Sequence, residues 1–215
     1  MGITIFASGK IDRIEDIPRL IDELKGIAEE HKWAYHIIDD DFDVQPNAIL
    51  TRRDQLNSAA VIEGSLGLKG IVLNVDPGAE PFSILFDRSG ALTDMLQQIS
   101  WIESTEQNIR FTMCKTQFGS IDSHIRIIEI LDFLKRTYIA DLTANDEGAY
   151  WESRDRRILA GKRITLDYYM RHAERVIGSI ELSSGDVQDA ETIASRIEEC
   201  FTESREGRRI TSLRV

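Results

Sequence analysis

Phe6-Ala7-Ser8-Gly9 leads into an apolar-periodic stretch and then into Tyr35-His36-Ile37-Ile38-Asp39-Asp40. Gln117-Phe118-Gly119-Ser120 leads into a second such stretch and then into Leu142-Thr143-Ala144-Asn145-Asp146-Glu147. Both passages read as strand, glycine turn, helix, strand and acidic end. Two strand–helix–strand units of the same kind place two acidic clusters at equivalent positions. Asp39, Asp40, Asp41 and Asp43 follow the first unit; Asp146, Glu147 and Glu152 follow the second. Strand–helix–strand is also the commonest unit of mixed proteins, so the likeness of pattern fits duplication or convergence.

Within the first unit, Ile3 to Ala7 is a short apolar strand. Ile14, Ile17, Ile21, Leu24 and Ala28 recur at three- and four-residue spacing, which predicts an amphipathic helix to about His31. Pro18 must fall in its first turn, where a missing N–H costs little. Trp33 to Ile38 is the returning strand. In the second unit, Arg110 to Phe118 is the opening strand and Ser120 or Asp122 caps the helix. Leu142 to Asn145 is the returning strand.

Between the units, Asp39 to Ser58 reads as a long polar loop, uncommon in a compact domain unless functional or mobile. Ala59 to Glu63 and Leu68 to Val75 flank Gly64-Ser65-Leu66-Gly67, a hairpin signal. Asp76-Pro77-Gly78 and Asp87-Arg88-Ser89-Gly90 are turns around a strand from Phe82 to Phe86. Thr93 to Trp101 reads as a short helix capped by Thr93. These hairpins argue for an α+β fold: a mixed, largely antiparallel sheet with helices on one face.

From Ser153 the period is helical, through Ile158, Ile164, Tyr168, Val176 and Ile177, with Gly161 as an expected interruption. Ser183-Ser184-Gly185-Asp186 breaks it. Ala190, Ile193, Ile197 and Phe201 mark a last helix, and Arg209 to Val215 an edge strand. The expectation is one domain over residues 1–215, with a sheet core over 1–152 and a C-terminal helical segment, 153–215, packed on it.

Hydrophobic content is 42%, enough for a real core, and the apolar runs are far shorter than a membrane span. The opening residues lack a basic start and long apolar stretch, and Phe6 stands where a myristoylation motif wants Ser or Thr. Cys114 and Cys200 form no Cys-x-x-Cys pair, which fits two free thiols in a reducing cytoplasm. The net charge of −11, from 37 acidic and 26 basic residues, argues against a nucleic-acid partner. Arg205, Arg208, Arg209 and Arg214 are a local exception at the tail.

Several constellations could carry chemistry. Asp39, Asp41, Asp146 and Glu147 are the carboxylates that could hold a hard cation, although no metal-site spacing is met. His124, in the first turn of an apolar helix, could act as a base near Lys115 and Asp146, or be a core histidine with its hydrogen bonds satisfied. Tyr150 and Trp151 could wall a pocket or close the sheet edge. Cys114 can be written into a Cys/His/Asp set but sits in an apolar strand, where a thiol is inert. Phosphate-loop, Gly-x-Ser-x-Gly, Gly-x-Gly-x-x-Gly and His-Glu-x-x-His patterns all fail.

The sequence therefore points to a soluble cytoplasmic protein of bacterial type. It is expected to bind or regulate an unknown protein or small-molecule partner, without a cofactor, a membrane or nucleic acid. The alternative is a metal-assisted hydrolase using Asp39, Asp41, Asp146, Glu147 and His124, with Lys115 nearby.

Overall fold

The computed structural model describes residues 2–51, 61–103 and 110–178. The expected last helix from Ala190 to Phe201, the break before it, the terminal strand, the arginine tail and Cys200 lie outside the described residues. So do Arg52, Arg53 and Asp54 of the polar loop.

In chain order the elements are β1 (Thr4–Ser8), a 3-10 turn (Ile14–Asp16), α1 (Ile17–His31), β2 (Ala34–Asp39), β3 (Ile49–Thr51) and β4 (Val61–Glu63). There follow β5 (Leu68–Asn74), β6 (Phe82–Asp87), β7 (Leu92–Thr93), α2 (Met95–Glu103) and β8 (Thr112–Lys115). The described chain closes with α3 (Ile121–Thr137), β9 (Thr143–Asp146), α4 (Tyr150–Ser153) and α5 (Arg156–Gly178). It divides into two compact units, residues 1–160 and 161–215.

The fold is α+β with antiparallel sheets. One sheet has the order β8-β1-β9, a second β2-β5-β6-β7, and β3 pairs with β4. Every named ladder among the described residues is antiparallel. The first two sheets are stitched together. The Thr112 hydroxyl donates to the Ser83 carbonyl at 2.7 Å, and Leu92 N–H donates to Gly9 O at 2.9 Å.

The two strand–helix–strand units pack differently, which corrects the expected equivalence. β1 is paired on both edges, by β8 and by β9. No edge of β1 is left for β2, which pairs with β5 instead. In the second unit β8 and β9 lie in one sheet, parallel to each other across β1. The acidic ends of the two units thus belong to different sheets.

Alternation along β5 and β6 sorts their side chains onto two faces, as the period of a strand requires. Ile71, Leu73, Ile84 and Phe86 join the main core with α1 and α3, whereas Val72 and Leu85 join a smaller cluster with Ile99 of α2. α1 and α3 share the main core, whereas the short α2 packs on the other face of β5 and β6. β5 approaches β6 closely at Gly70, where φ is +150° and an added Cβ would lie 2.0 Å from Ile84 O. Only glycine fits there.

Local expectations fared unevenly. Pro18 does lie in the first turn of α1, and Ser120 rather than Asp122 caps α3, its hydroxyl accepting from Ser123 N–H. The cap of α2 is not Thr93 but Asp94, whose Oδ1 accepts from Gln97 N–H at 2.9 Å. β4 and β5 do not form a hairpin: β4 pairs with β3, inside what reads as loop. The intervening Ser65 instead holds the Asn47–Ala48 backbone, accepting from both N–H groups, with Gly64 and Gly67 at positive φ. α5 runs through Gly161 without a break. A single glycine costs a helix about 1 kcal/mol, too little to end one of 23 residues.

Candidate functional site

The ends of β8 and β9 meet at the start of β1. In register, Lys115 lies opposite Thr4 and Asp146 opposite Ile5, on the two edges of the same strand. α3 begins six residues after Lys115 at Ile121, so its first turn lies over this point. The face of α3 carrying Ser123, His124, Ile127, Ile128 and Leu131 is buried. His124 is thereby driven inward at 1% exposure, between Thr116 and Asp146.

A chain of hydrogen bonds runs through it. Thr116 Oγ1 is 2.7 Å from His124 Nδ1, and His124 Nε2 is 3.1 Å from Asp146 Oδ2. Asp146 also accepts from the N–H groups of Gly148 at 2.7 Å, Tyr150 at 2.7 Å and Trp151 at 2.9 Å. Burial works against ionisation of Asp146. The His124 hydrogen bond and attraction, with the Trp151 and Gly148 N–H groups, outweigh it and hold the carboxyl below the usual range. An ionised carboxylate only accepts, so Nε2 carries the hydrogen facing it. In the neutral ring Nδ1 is then an acceptor facing the Thr116 hydroxyl, which also lies 3.3 Å from the Ile3 carbonyl.

Thr116, His124 and Asp146 stand in the order of a proton relay, but their exposures are 1%, 1% and 5%. A substrate cannot reach the hydroxyl. His124 and Asp146 do lie next to each other, but they touch in the interior and not at a surface a substrate can reach. The pair is a clamp. Through it α3, the end of β8, the end of β9 and the turn into α4 are held at one point. That turn needs holding, since Ala149 has φ +58° and Arg154 φ +52°, at either end of α4. Left-handed backbone costs a non-glycine residue about 1–2 kcal/mol.

The other candidates are placed as follows. Glu147 closes the sheet: its Oε2 accepts from Thr4 N–H at 2.8 Å, and its own N–H donates to Thr4 O. Lys115 exchanges backbone contacts with Glu80, receiving Glu80 N–H on its carbonyl and donating its N–H to Glu80 Oε2. Asp39 pairs with Lys69 Nζ, and Asp41 Oδ1 accepts from Asp43 N–H within a turn. Asp40 N–H donates to Leu68 O, tying that turn to β5. The structure thus brings His124 and Asp146 together and does not bring Asp39 and Asp41 to them. Among the described residues no group of three or more His, Cys, Asp or Glu side chains is placed to hold a metal ion.

Cys114 is bonded to Glu80 rather than to His124. Its Sγ donates to Glu80 O at 3.1 Å, and burial, with the Glu80 charge, pushes the thiol up to about 12. It is the inert thiol its apolar strand suggests. Tyr150 and Trp151 pack partly buried against the core. The Arg154 guanidinium lies 4.8 Å from the Trp151 ring centre while forking onto Asp132 at 2.6 and 2.9 Å.

Two residues escaped the sequence reading. Thr116 lies within a noted segment but carries no local sign of its histidine partner. Asp94 did carry one: Asp94-Met95-Leu96-Gln97 has the acceptor and the Gln three residues on that mark a capping box. No family model, curated protein or solved structure matches this chain. Among the described residues, no helix is long and apolar enough to cross a membrane.

Proposed function

We propose that this chain is a non-catalytic binding or regulatory protein of the cytoplasm that takes a basic protein partner on its acidic surface. The observation that carries the reading is the burial of His124 and Asp146, a candidate acid–base pair that instead holds strand ends together. The net charge of −11 supplies the other half. Charge of one sign steers an oppositely charged partner and repels nucleic acid and anionic membranes. A labelled Lys/Arg-rich peptide should bind saturably and weaken as salt is raised, and a Glu-rich peptide of the same length should not bind. Equal binding of both peptides would sink the reading.

One observation favours the hydrolase alternative: the relay order Thr116, His124, Asp146. Under the binding reading, Mg²⁺, Mn²⁺ and Ca²⁺ leave the melting temperature nearly unchanged. A saturable rise with any of them, lost in Asp146→Asn, would transfer support to the hydrolase, because a native-state ligand raises the melting temperature.

A further inference from the structure

A pocket of about 210 Å³ lies where the start of α2 meets the β6 and β8 strands, lined by Glu80, Pro81, Asp94, Met95, Leu96 and Met113 among others. Ser83 and Asp94 are its most buried polar residues, at 6% and 7% exposure. One carboxylate oxygen caps α2 through Gln97 N–H; the other, Oδ2, is buried and takes no hydrogen bond among the described residues. Buried polar atoms are nearly always paired, and an orphaned carboxylate oxygen marks a place where a donor is missing. Burial pushes the Asp94 carboxyl up, against the pull of the Gln97 and Leu96 N–H groups.

The rest of the lining limits what that donor can be. No Lys or Arg lines the pocket, and its second ionisable group, Glu80, is another carboxylate. The walls are apolar. Leu96 is 60% exposed and Met113 38%, and the methionine side chains are flexible enough to admit and then close on an alkyl chain. Pockets for drug-sized molecules run to about 300–1,000 Å³, so this one suits a single side chain.

We propose that this pocket receives an ammonium or guanidinium group on an alkyl stem, namely a Lys or Arg side chain of the partner. Asp94 Oδ2, closed to solvent here, accepts from the cation once the pocket side chains move to uncover it, and Met95, Leu96 and Met113 pack on the stem. The source of the cation rests on the basic-partner reading above; the pocket chemistry does not.

Labelling the methionine methyls with ¹³C gives one signal each from Met1, Met95, Met113 and Met170. Titration with N-acetyl-lysine methylamide should shift Met95 and Met113 saturably and leave Met1 and Met170 in place. N-acetyl-arginine methylamide should do the same. N-acetyl-norleucine methylamide, which keeps the stem and lacks the charge, should bind about tenfold or more weakly, as loss of a charged hydrogen bond implies. Asp94→Asn keeps the cap and should abolish the preference for lysine over norleucine. Met113→Lys sets a cation at the pocket wall of the protein itself; it should silence the response of Met95 to the lysine probe. No response at Met95 and Met113, or an equal response to norleucine, overturns the proposal. A Lys-rich peptide that binds without moving these two signals overturns the pocket and leaves the basic-partner reading standing. Shifts from the capped lysine with no binding of the peptide support the pocket and overturn that reading.

Discussion

Asp146 and Asp94 stand at the same kind of joint. Each follows or ends a strand, each is all but buried, and each accepts from N–H groups of the helix that comes next. They differ in what else they meet. Asp146 accepts from His124 and three backbone N–H groups, while Asp94 has Gln97 N–H on Oδ1 and, among the described residues, no hydrogen-bond partner on Oδ2. Their pKa values shift in opposite directions as a result: Asp146 down, Asp94 up. Burial by itself opposes ionisation at both sites. The hydrogen bonds around the carboxylate decide whether the joint is a finished structural clamp or a site with a donor missing.

The largest test of this contrast is Asp146→Ala. It strands the His124 ring and three N–H groups in the interior and should cost on the order of 3–5 kcal/mol, read by urea unfolding. A loss below about 1 kcal/mol would mean that the clamp is not formed. Acid should expose the same carboxylate. Its folded pKa is depressed, so its contribution is full above the unfolded value of about 3.9 and is lost as pH falls through the folded value. The stability gap between the wild type and Asp146→Asn should therefore narrow below about pH 4. A gap that stays constant down to pH 2 would break the assignment.

Gly148→Ala should have an intermediate effect. An added Cβ would lie 2.7 Å from Leu159 Cδ1, 2.9 Å from His124 Cε1 and 3.0 Å from Asp146 Oδ1. Overpacking of this kind costs about 1–3 kcal/mol. The expected mark of a clamp under pressure is a shifted His124 ring signal in the NMR spectrum of the folded variant.

Asp94→Asn should have the smallest effect. Asn is as good a cap as Asp and removes a charge that is poorly satisfied, so stability at neutral pH should hold or rise, by less than about 1 kcal/mol. The pH dependence should run opposite to that at Asp146. A raised carboxyl pKa means that the folded protein takes up this proton more readily, so the wild type gains on Asp94→Asn as pH falls towards the unfolded value. A large loss at neutral pH would show that Asp94 is as fully paired as Asp146.

Most helices and strands were legible from local period alone. The apolar stripe of α1, Pro18 in its first turn, Ser120 before α3 and the meander from β5 to β7 all follow from side-chain spacing and turn chemistry. The failures are of another kind. Gly64 to Gly67 has hairpin chemistry, yet β4 turns to β3, because the same residues serve to hold the Asn47–Ala48 backbone. The likeness of the two strand–helix–strand units is real at the level of pattern and ends there.

The amino-acid sequence by itself determined the class of this protein, its antiparallel meander, its acidic charge and the placing of His124 at the head of an apolar helix. These depend on neighbours a few residues apart. Tertiary structure alone decided that β1 is filled on both edges by β8 and β9, sending β2 to another sheet. It alone decided that Thr116, His124 and Asp146 meet in the interior while Asp39 and Asp41 stay apart from them, and that Asp94 keeps an oxygen unpaired among the described residues. A hydrogen-bond partner 22 residues away, as between His124 and Asp146, leaves no periodic trace in the chain. Whether a carboxylate is satisfied depends on which backbone N–H groups the fold turns towards it.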